Sequence, residues 1–463
     1  MLDIGTHFGH RRRSFLQIGS LALGGLSFAD LLAPTATAAH RSLLLSGKSV
    51  VFVFMHGGPS QIETFDPKMT APPGVCSANG EIATTLPGIT YGAAFPKLAA
   101  LAHRTSIVRS FQTGDGNHDI KPIVGRDSRG ANIGSLYARV AGANDPATGM
   151  PTNVALYPQS VDDSCMTAFK TFGDFESTGA LGGAYAPFDP SGGGELRRAL
   201  KLELPLDRVD DRRRLLTGLD RIHRSLDADP ALSTVAGLRQ RTFDTILGGV
   251  ADAFDLSKED PATIARYDTA PLVPVDTIDK RWANHPRYAD NAKSLGKLML
   301  LARRLCERGA GFVTVTTNFV WDMHADVNNA TMEEGMRYMG RPFDHAIAAF
   351  IDDIHQRGLA NDVLLVCCGE MGRTPLLNKN GGRDHWGGLA PLLLSGGGLA
   401  MGQVIGQSNR TAAEPQTDPL RIANLLATVL GTVLDISQVR LVPGLPGDVL
   451  AAATSADPIP GLA

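Results

Sequence analysis

Residues Ser49 to Met55, SVVFVFM, form a nearly unbroken apolar run that stops at His56-Gly57-Gly58-Pro59. A strand with apolar side chains on both faces must be buried on both, which confines it to a sheet covered by helices on each side. Further strand-like runs are read at Thr105 to Ser110, Asn153 to Tyr157, Gly311 to Thr317, Asp362 to Cys368 and Pro391 to Ser395. Between them lie segments of helical period: Phe95 to His103, Pro286 to Arg308 and Phe343 to Arg357, with a last helix starting at Asp418-Pro419 and running to Leu430. Strands alternating with helices of this length predict an α/β fold, a mostly parallel central sheet with helices on both faces. Ligands of such sheets bind outside the carboxyl ends of the strands. Glu195 to Tyr267 interrupts the alternation with mostly helical, charge-dense sequence such as Arg208 to Arg214 and few residues of catalytic type. It reads as a helical insertion or cap on the substrate side.

The amino-terminal 39 residues have a different character. Arg12 and Arg13 precede Ser14-Phe15-Leu16, an apolar stretch follows from Ile18 to Leu32, and Ala36-Thr37-Ala38 offers a small-x-small cleavage site. This is the pattern of a twin-arginine export signal, so a folded protein working in the periplasm or outside the cell is expected, with the mature domain spanning residues 40–463. The apolar stretch carries Ser20, Ser27 and Asp30 and is short of the ~20 residues that span a bilayer, so no integral membrane span is expected after cleavage. A formal net charge of -3 gives no electrostatic case for a nucleic-acid partner. The five cysteines form no C-x-x-C pair, leaving a single Cys76–Cys165 bridge as an open alternative to free thiols.

The polar residues just past the strand ends form one candidate site. They are His56 after the first strand, Thr113, His118 and Lys121 after the second, Asp322 and His324 in Trp321-Asp322-Met323-His324, Glu370 and Arg373 in G-E-M-G-R-T-P, and Asp384-His385 in the next loop. His56, Asp322, His324, Glu370, Asp384 and His385 make a mixed nitrogen and oxygen set suited to Zn²⁺, Mn²⁺ or Fe²⁺. Each taken alone also fits a turn or capping role. Arg373 can bind an anion through paired guanidinium donors, or form an ion pair with Glu370 three residues earlier. Gly57-Gly58 fits either close backbone approach to an oxyanion or a simple tight turn.

The motifs H-G-G-P-S-Q-I-E-T-F-D-P-K (His56 to Lys68), W-D-M-H (Trp321 to His324), G-E-M-G-R-T-P (Gly369 to Pro375) and G-R-D-H-W (Gly382 to Trp386) resemble those of the domain of unknown function 1501 family, sulfatase-like proteins of the alkaline phosphatase superfamily. The resemblance implies a metal-assisted hydrolase or transferase of phosphate or sulfate esters, with Asp322, His324, Glu370 and His385 as metal ligands. Two positions depart from the superfamily pattern: Met371 stands where a phosphatase has a His ligand, and His56 where an Asp is usual. Val124-Gly125-Arg126 resembles the T-G-R that follows the nucleophile, which makes Thr113 the matching hydroxyl, His118 a ligand or general acid, and Lys121 and Arg373 charge stabilisers. The expectation is therefore an exported hydrolase that uses a divalent metal, Zn or Mn, on a small-molecule or polysaccharide ester. The alternative is a non-catalytic binding or structural module on a degenerate scaffold of the same kind.

Because the export receptor reads the arginine pair, Arg12→Lys combined with Arg13→Lys is expected to leave the uncleaved precursor in the cytoplasm. Cell fractionation checks this, and unchanged export of the double variant excludes the leader assignment.

Overall fold

The computed structural model describes residues 43–191, 250–442, 445 and 447–462; the expected export leader and residues 195–249 of the expected insertion lie outside them. Seven strands form the central sheet: β1 (Ser49–Phe54), β2 (Ser106–Val108), β3 (Asn153–Leu156), β4 (Phe312–Thr316), β5 (Val363–Cys368), β6 (Leu392–Gly396) and β7 (Gln403–Ile405). Their spatial order is β7-β2-β6-β5-β1-β4-β3, with β1 inside the sheet, paired in parallel to β4 and β5. All neighbouring pairs are parallel except the two made by β6, which runs antiparallel between β5 and β2.

The double-sided burial expected of β1 is realised by alternation. Val51, Val53 and Met55 enter one core, and Val50, Phe52 and Phe54 enter the other. The principal helices are α1 (Ile133–Ala141), α2 (His285–Glu307), α3 (Arg341–Gln356) and α4 (Ile422–Val433). Residues of α2 and α3 fill the first core, and residues of α1 and α4 fill the second. Asn132 caps α1 by accepting from the Gly134 N–H, and Pro286 occupies the first turn of α2, where its missing N–H costs no helical bond.

Several boundaries differ from the sequence reading. Helix α4 starts at Ile422, not at Asp418-Pro419, because Leu420 and Arg421 first pair with Phe111 and Gln112 as a short parallel ladder, which uses up the segment after Asp418-Pro419. Strand β7 and helix α1 escaped the sequence reading; β7 is only three residues long and half-buried at the sheet edge. All five cysteines are free thiols, so Cys76 and Cys165 are not bridged. No helix among the described residues is long and apolar enough to cross a membrane.

The described part of the insertion is helical, at Val250–Phe254 and Pro261–Tyr267. It docks on the carboxyl-terminal turns of α2 and α3, where Arg304 donates to the Ala253 carbonyl and the Tyr267 hydroxyl donates to Asp353 at 3.0 Å. Those turns lead into the amino ends of β4 and β5, so this part does not cap the edge that carries His385; the rest of the expected cap lies outside the described residues.

Arg303, 2% exposed, anchors this docking through Glu259 and Glu307 at 2.7 Å each and Asp353 at 2.9 Å. Breaking a buried ion pair from one side leaves uncompensated charge, so Arg303→Met is expected to lower stability by about 3 kcal/mol. Urea unfolding measures it, and a change near zero shows that the network contributes nothing.

Candidate metal centre

The carboxyl edge of the sheet is closed by backbone contacts that only glycine allows. Gly57 sits at φ +115, and a Cβ on it would lie 2.5 Å from the Asp322 nitrogen. Its bare backbone lets the loop after β4 settle on the end of β1, where the Trp321 N–H donates to the His56 carbonyl at 3.0 Å. The Gly57 N–H donates to Glu370 Oε1 at 2.9 Å, tying in the end of β5. Arg373, fully buried, donates to the Gly57 and Gly58 carbonyls and to Asp322 Oδ1. Gly372–Arg373 then pairs antiparallel with His385–Trp386, and the register His385↔Arg373 brings His385 to the same place.

His118, Asp322, His324 and His385 converge so that one ligand atom from each lies within 4.8 Å of every other. Asp322 Oδ1 is the centre, 2.9 Å from His324 Nε2, 3.5 Å from His118 Nε2 and 3.6 Å from His385 Nε2. His324 Nε2 and His385 Nε2 are 2.7 Å apart. Two imidazole nitrogens can approach so closely only with a proton or a cation between them. Donors bound about 2 Å from a tetrahedral zinc stand about 3.3 Å from one another, so these separations bracket what one ion requires. The residues present fit a divalent metal held by three imidazoles and one carboxylate.

The carboxylates expected beside the imidazoles as ligands stand behind them instead. Glu370 Oε1 is 3.1 Å from His118 Nδ1, and Asp384 Oδ1 is 3.4 Å from His324 Nδ1. Each fixes the ring so that Nε2 faces the centre. Burial pushes the Asp322 carboxyl up, but the Arg373 guanidinium and hydrogen bonds from His118, His324 and His385 outweigh it and hold the group far below the usual carboxylate range. Burial pushes the His118 imidazolium down, yet hydrogen bonds to Asp322 and Glu370 raise its pKa overall. Burial, followed by repulsion from Arg373 and the neighbouring imidazoles, lowers His385. Glu370 is raised, chiefly by burial.

Several other residues of the expected site have different surroundings. His56 is not in the cluster: its ring is packed among Phe54, Phe169, Phe175 and Phe319, burial drives its pKa down to about 3, and neither ring nitrogen has a hydrogen-bond partner. Arg373 pairs with Asp322 at 2.6 Å, not with Glu370, and its donors are committed to protein acceptors, three carbonyls, the Asp322 carboxylate and, at 3.3 Å, His324 Nε2, and so turn away from an anion. Lys121 is held by Asp115 at 2.9 Å and Asp119 at 3.2 Å. The Thr113 hydroxyl is buried without a hydrogen-bond partner, and Thr113 does not line the cavity above the cluster. That cavity, about 370 Å³, is walled beside the cluster by the aromatic Phe169, Phe172 and Phe319 and by the polar Asn284, Asp326, Asn328 and Asn329. The sequence reading missed both walls; aromatic residues in the polar loop Phe169-Lys170-Thr171-Phe172 were the available signal.

Fold and cluster together define an α/β protein with a three-imidazole, one-carboxylate centre at the carboxyl edge of a mostly parallel sheet. Residues 47–454 match the family described as "Protein of unknown function (DUF1501)", and the chain belongs to that family. A comparison with curated proteins finds no match.

At Gly57 an added Cβ meets backbone, whereas at Gly58 it meets the flexible Met371 side chain at 2.7 Å. Gly57→Ala is therefore expected to cost about 2 kcal/mol or more and to displace Asp322, with Gly58→Ala milder. Thermal unfolding of the two variants checks the ranking, and equal or reversed losses contradict the close-approach account.

Proposed function

We propose that this chain is an exported metal-dependent hydrolase of phosphate or sulfate esters, built on a scaffold akin to the alkaline phosphatases and sulfatases. The observation that carries this reading is the convergence of His118, Asp322, His324 and His385 beneath a cavity of about 370 Å³ at the carboxyl edge of the sheet. The twin-arginine leader supports export, and the motif resemblance supports the ester class. A divalent ion in this donor set supplies Lewis acidity toward an ester oxygen and lowers the pKa of an attacking water toward neutrality.

The protein's own groups have separate tasks under this reading. Glu370 and Asp384 hold His118 and His324 with their Nε2 atoms inward. Arg373 keeps Asp322 ionised and aimed at the imidazoles. Phe169, Phe172 and Phe319 shield one side of the centre, which strengthens electrostatic interactions there. Water is the attacking group in this reading, because among the described residues no side-chain hydroxyl lines the cavity.

One observation favours the second reading, a binding module without turnover: the donors of Arg373 and Lys121, the expected charge stabilisers, are taken by acceptors of the protein itself. Elemental analysis followed by assay of an aryl phosphate and an aryl sulfate across about pH 5 to 9 separates the two. The hydrolase reading expects close to stoichiometric metal, turnover of one ester, and about a hundredfold or greater loss in His385→Ala. Metal-loaded protein that turns over neither ester establishes the binding module.

A further inference from the structure

We infer that Arg287, Asn284 and Asn329 form a positioning relay that fixes the plane of the Asp322 carboxylate, so that one of its oxygens stays turned to the metal centre. This inference rests on the metal-binding part of the proposed function. Arg287 Nε donates to Asn284 Oδ1 at 3.1 Å, Asn284 Nδ2 donates to Asn329 Oδ1 at 2.7 Å, and Asn329 Nδ2 donates to Asp322 Oδ2 at 3.0 Å. Three hydrogen bonds thus run head to tail from the first turn of α2 to the carboxylate at the centre of the cluster.

The direction of the relay is forced by its two ends. An ionised carboxylate only accepts, so Asn329 must turn its amide nitrogen toward Asp322 and its oxygen toward Asn284. A guanidinium only donates, so Asn284 must turn its oxygen toward Arg287 and its nitrogen toward Asn329. Each amide has one orientation compatible with both neighbours. The backbone holds the members in register: the Asn284 N–H donates to the Asn328 carbonyl at 3.0 Å, and Asp326 Oδ1 accepts from the Asn328 and Asn329 N–H groups at 2.8 and 2.7 Å. Arg287 is itself fixed by stacking on Phe169, with its guanidinium carbon 4.4 Å from the ring centroid.

A carboxylate turns about a broad, two-fold terminal torsion, so the plane of Asp322 is set only by its partners, Arg373 on Oδ1 at 2.6 Å and Asn329 on Oδ2. With Oδ2 held by Asn329, Oδ1 alone faces His118, His324 and His385. Asn284 has its own leverage. Without its N–H, the Asn329 amide loses the neighbour that fixes its orientation, and the flipped amide sets oxygen against oxygen at Asp322. Partners of this kind that orient ligands typically change metal affinity by 10- to 100-fold.

The test measures zinc affinity of the full mature chain by competition with a chromophoric chelator, alongside thermal unfolding of each variant. Asn329→Ala is expected to weaken zinc binding by about 10- to 100-fold, and Asn284→Ala by about three- to tenfold. In a serial relay the Asn284→Ala plus Asn329→Ala double variant binds no more weakly than Asn329→Ala alone. If the buried Asn329→Ala variant fails to fold, half-buried Asn284→Ala and Arg287→Lys carry the test, each with affinity compared at matched folded fraction. Zinc affinity within about twofold of wild type in folded Asn284→Ala, or fully additive losses in the double variant, overturns the relay while leaving the metal centre standing. Wild-type protein that takes up neither zinc nor manganese overturns the metal centre and the relay with it.

Discussion

The buried guanidinium of Arg373 is the constraint on which the rest of the carboxyl edge depends. It is fully buried, and it meets the Gly57, Gly58 and Arg383 carbonyls and the Asp322 carboxylate at once. Those groups come from the ends of β1 and β4 and from the loops after β5. A cation in a low-dielectric setting must be fully compensated, so the loops have little freedom to settle elsewhere. The ionised state of Asp322 follows from this pairing, and the approach of three imidazoles follows from the ionised state.

Around that pair the site is layered. Imidazoles and one carboxylate form the inner layer, and Glu370, Asp384 and Asn329 stand behind them as orienting partners. The outer layer has two chemistries, the rings of Phe169, Phe172 and Phe319 and the polar side chains of Asn284, Asp326, Asn328 and Asn329. Such layering explains why Glu370 and Asp384, expected as ligands, stand behind imidazoles instead: a carboxylate near a strand end can equally ligate or brace.

His56 shows how far context overrides a motif. It opens the H-G-G-P segment at the end of the central strand, the position where a ligand is expected, yet its ring lies in a cage of phenylalanines with both nitrogens unpartnered. The glycines after it, not the histidine, do the structural task of that motif. Gly57 admits the Asp322 backbone to a distance no side chain tolerates, so the motif's contribution to the site is a close backbone approach.

The six sheet strands read from apolar runs are all present, because burial on both faces of a parallel sheet writes itself into continuous apolar sequence. The same rule marked the carboxyl edge and so put Asp322, His324 and His385 on a short set of candidates. What local pattern does not carry is pairing across the sheet. The antiparallel course of β6, the three-residue edge strand β7 and the ladder that delays α4 are set by long-range hydrogen bonds. Nor does spacing reveal side-chain direction: His118 joins the cluster from a loop more than 200 residues before its partners, while Lys121, three residues on, is held by neighbouring aspartates. The sequence by itself determined the class of fold, the edge that bears chemistry and the residue types available there. Only the tertiary structure decided which imidazoles share one carboxylate oxygen, because that choice is made by a buried arginine and a glycine contact between segments far apart in the chain.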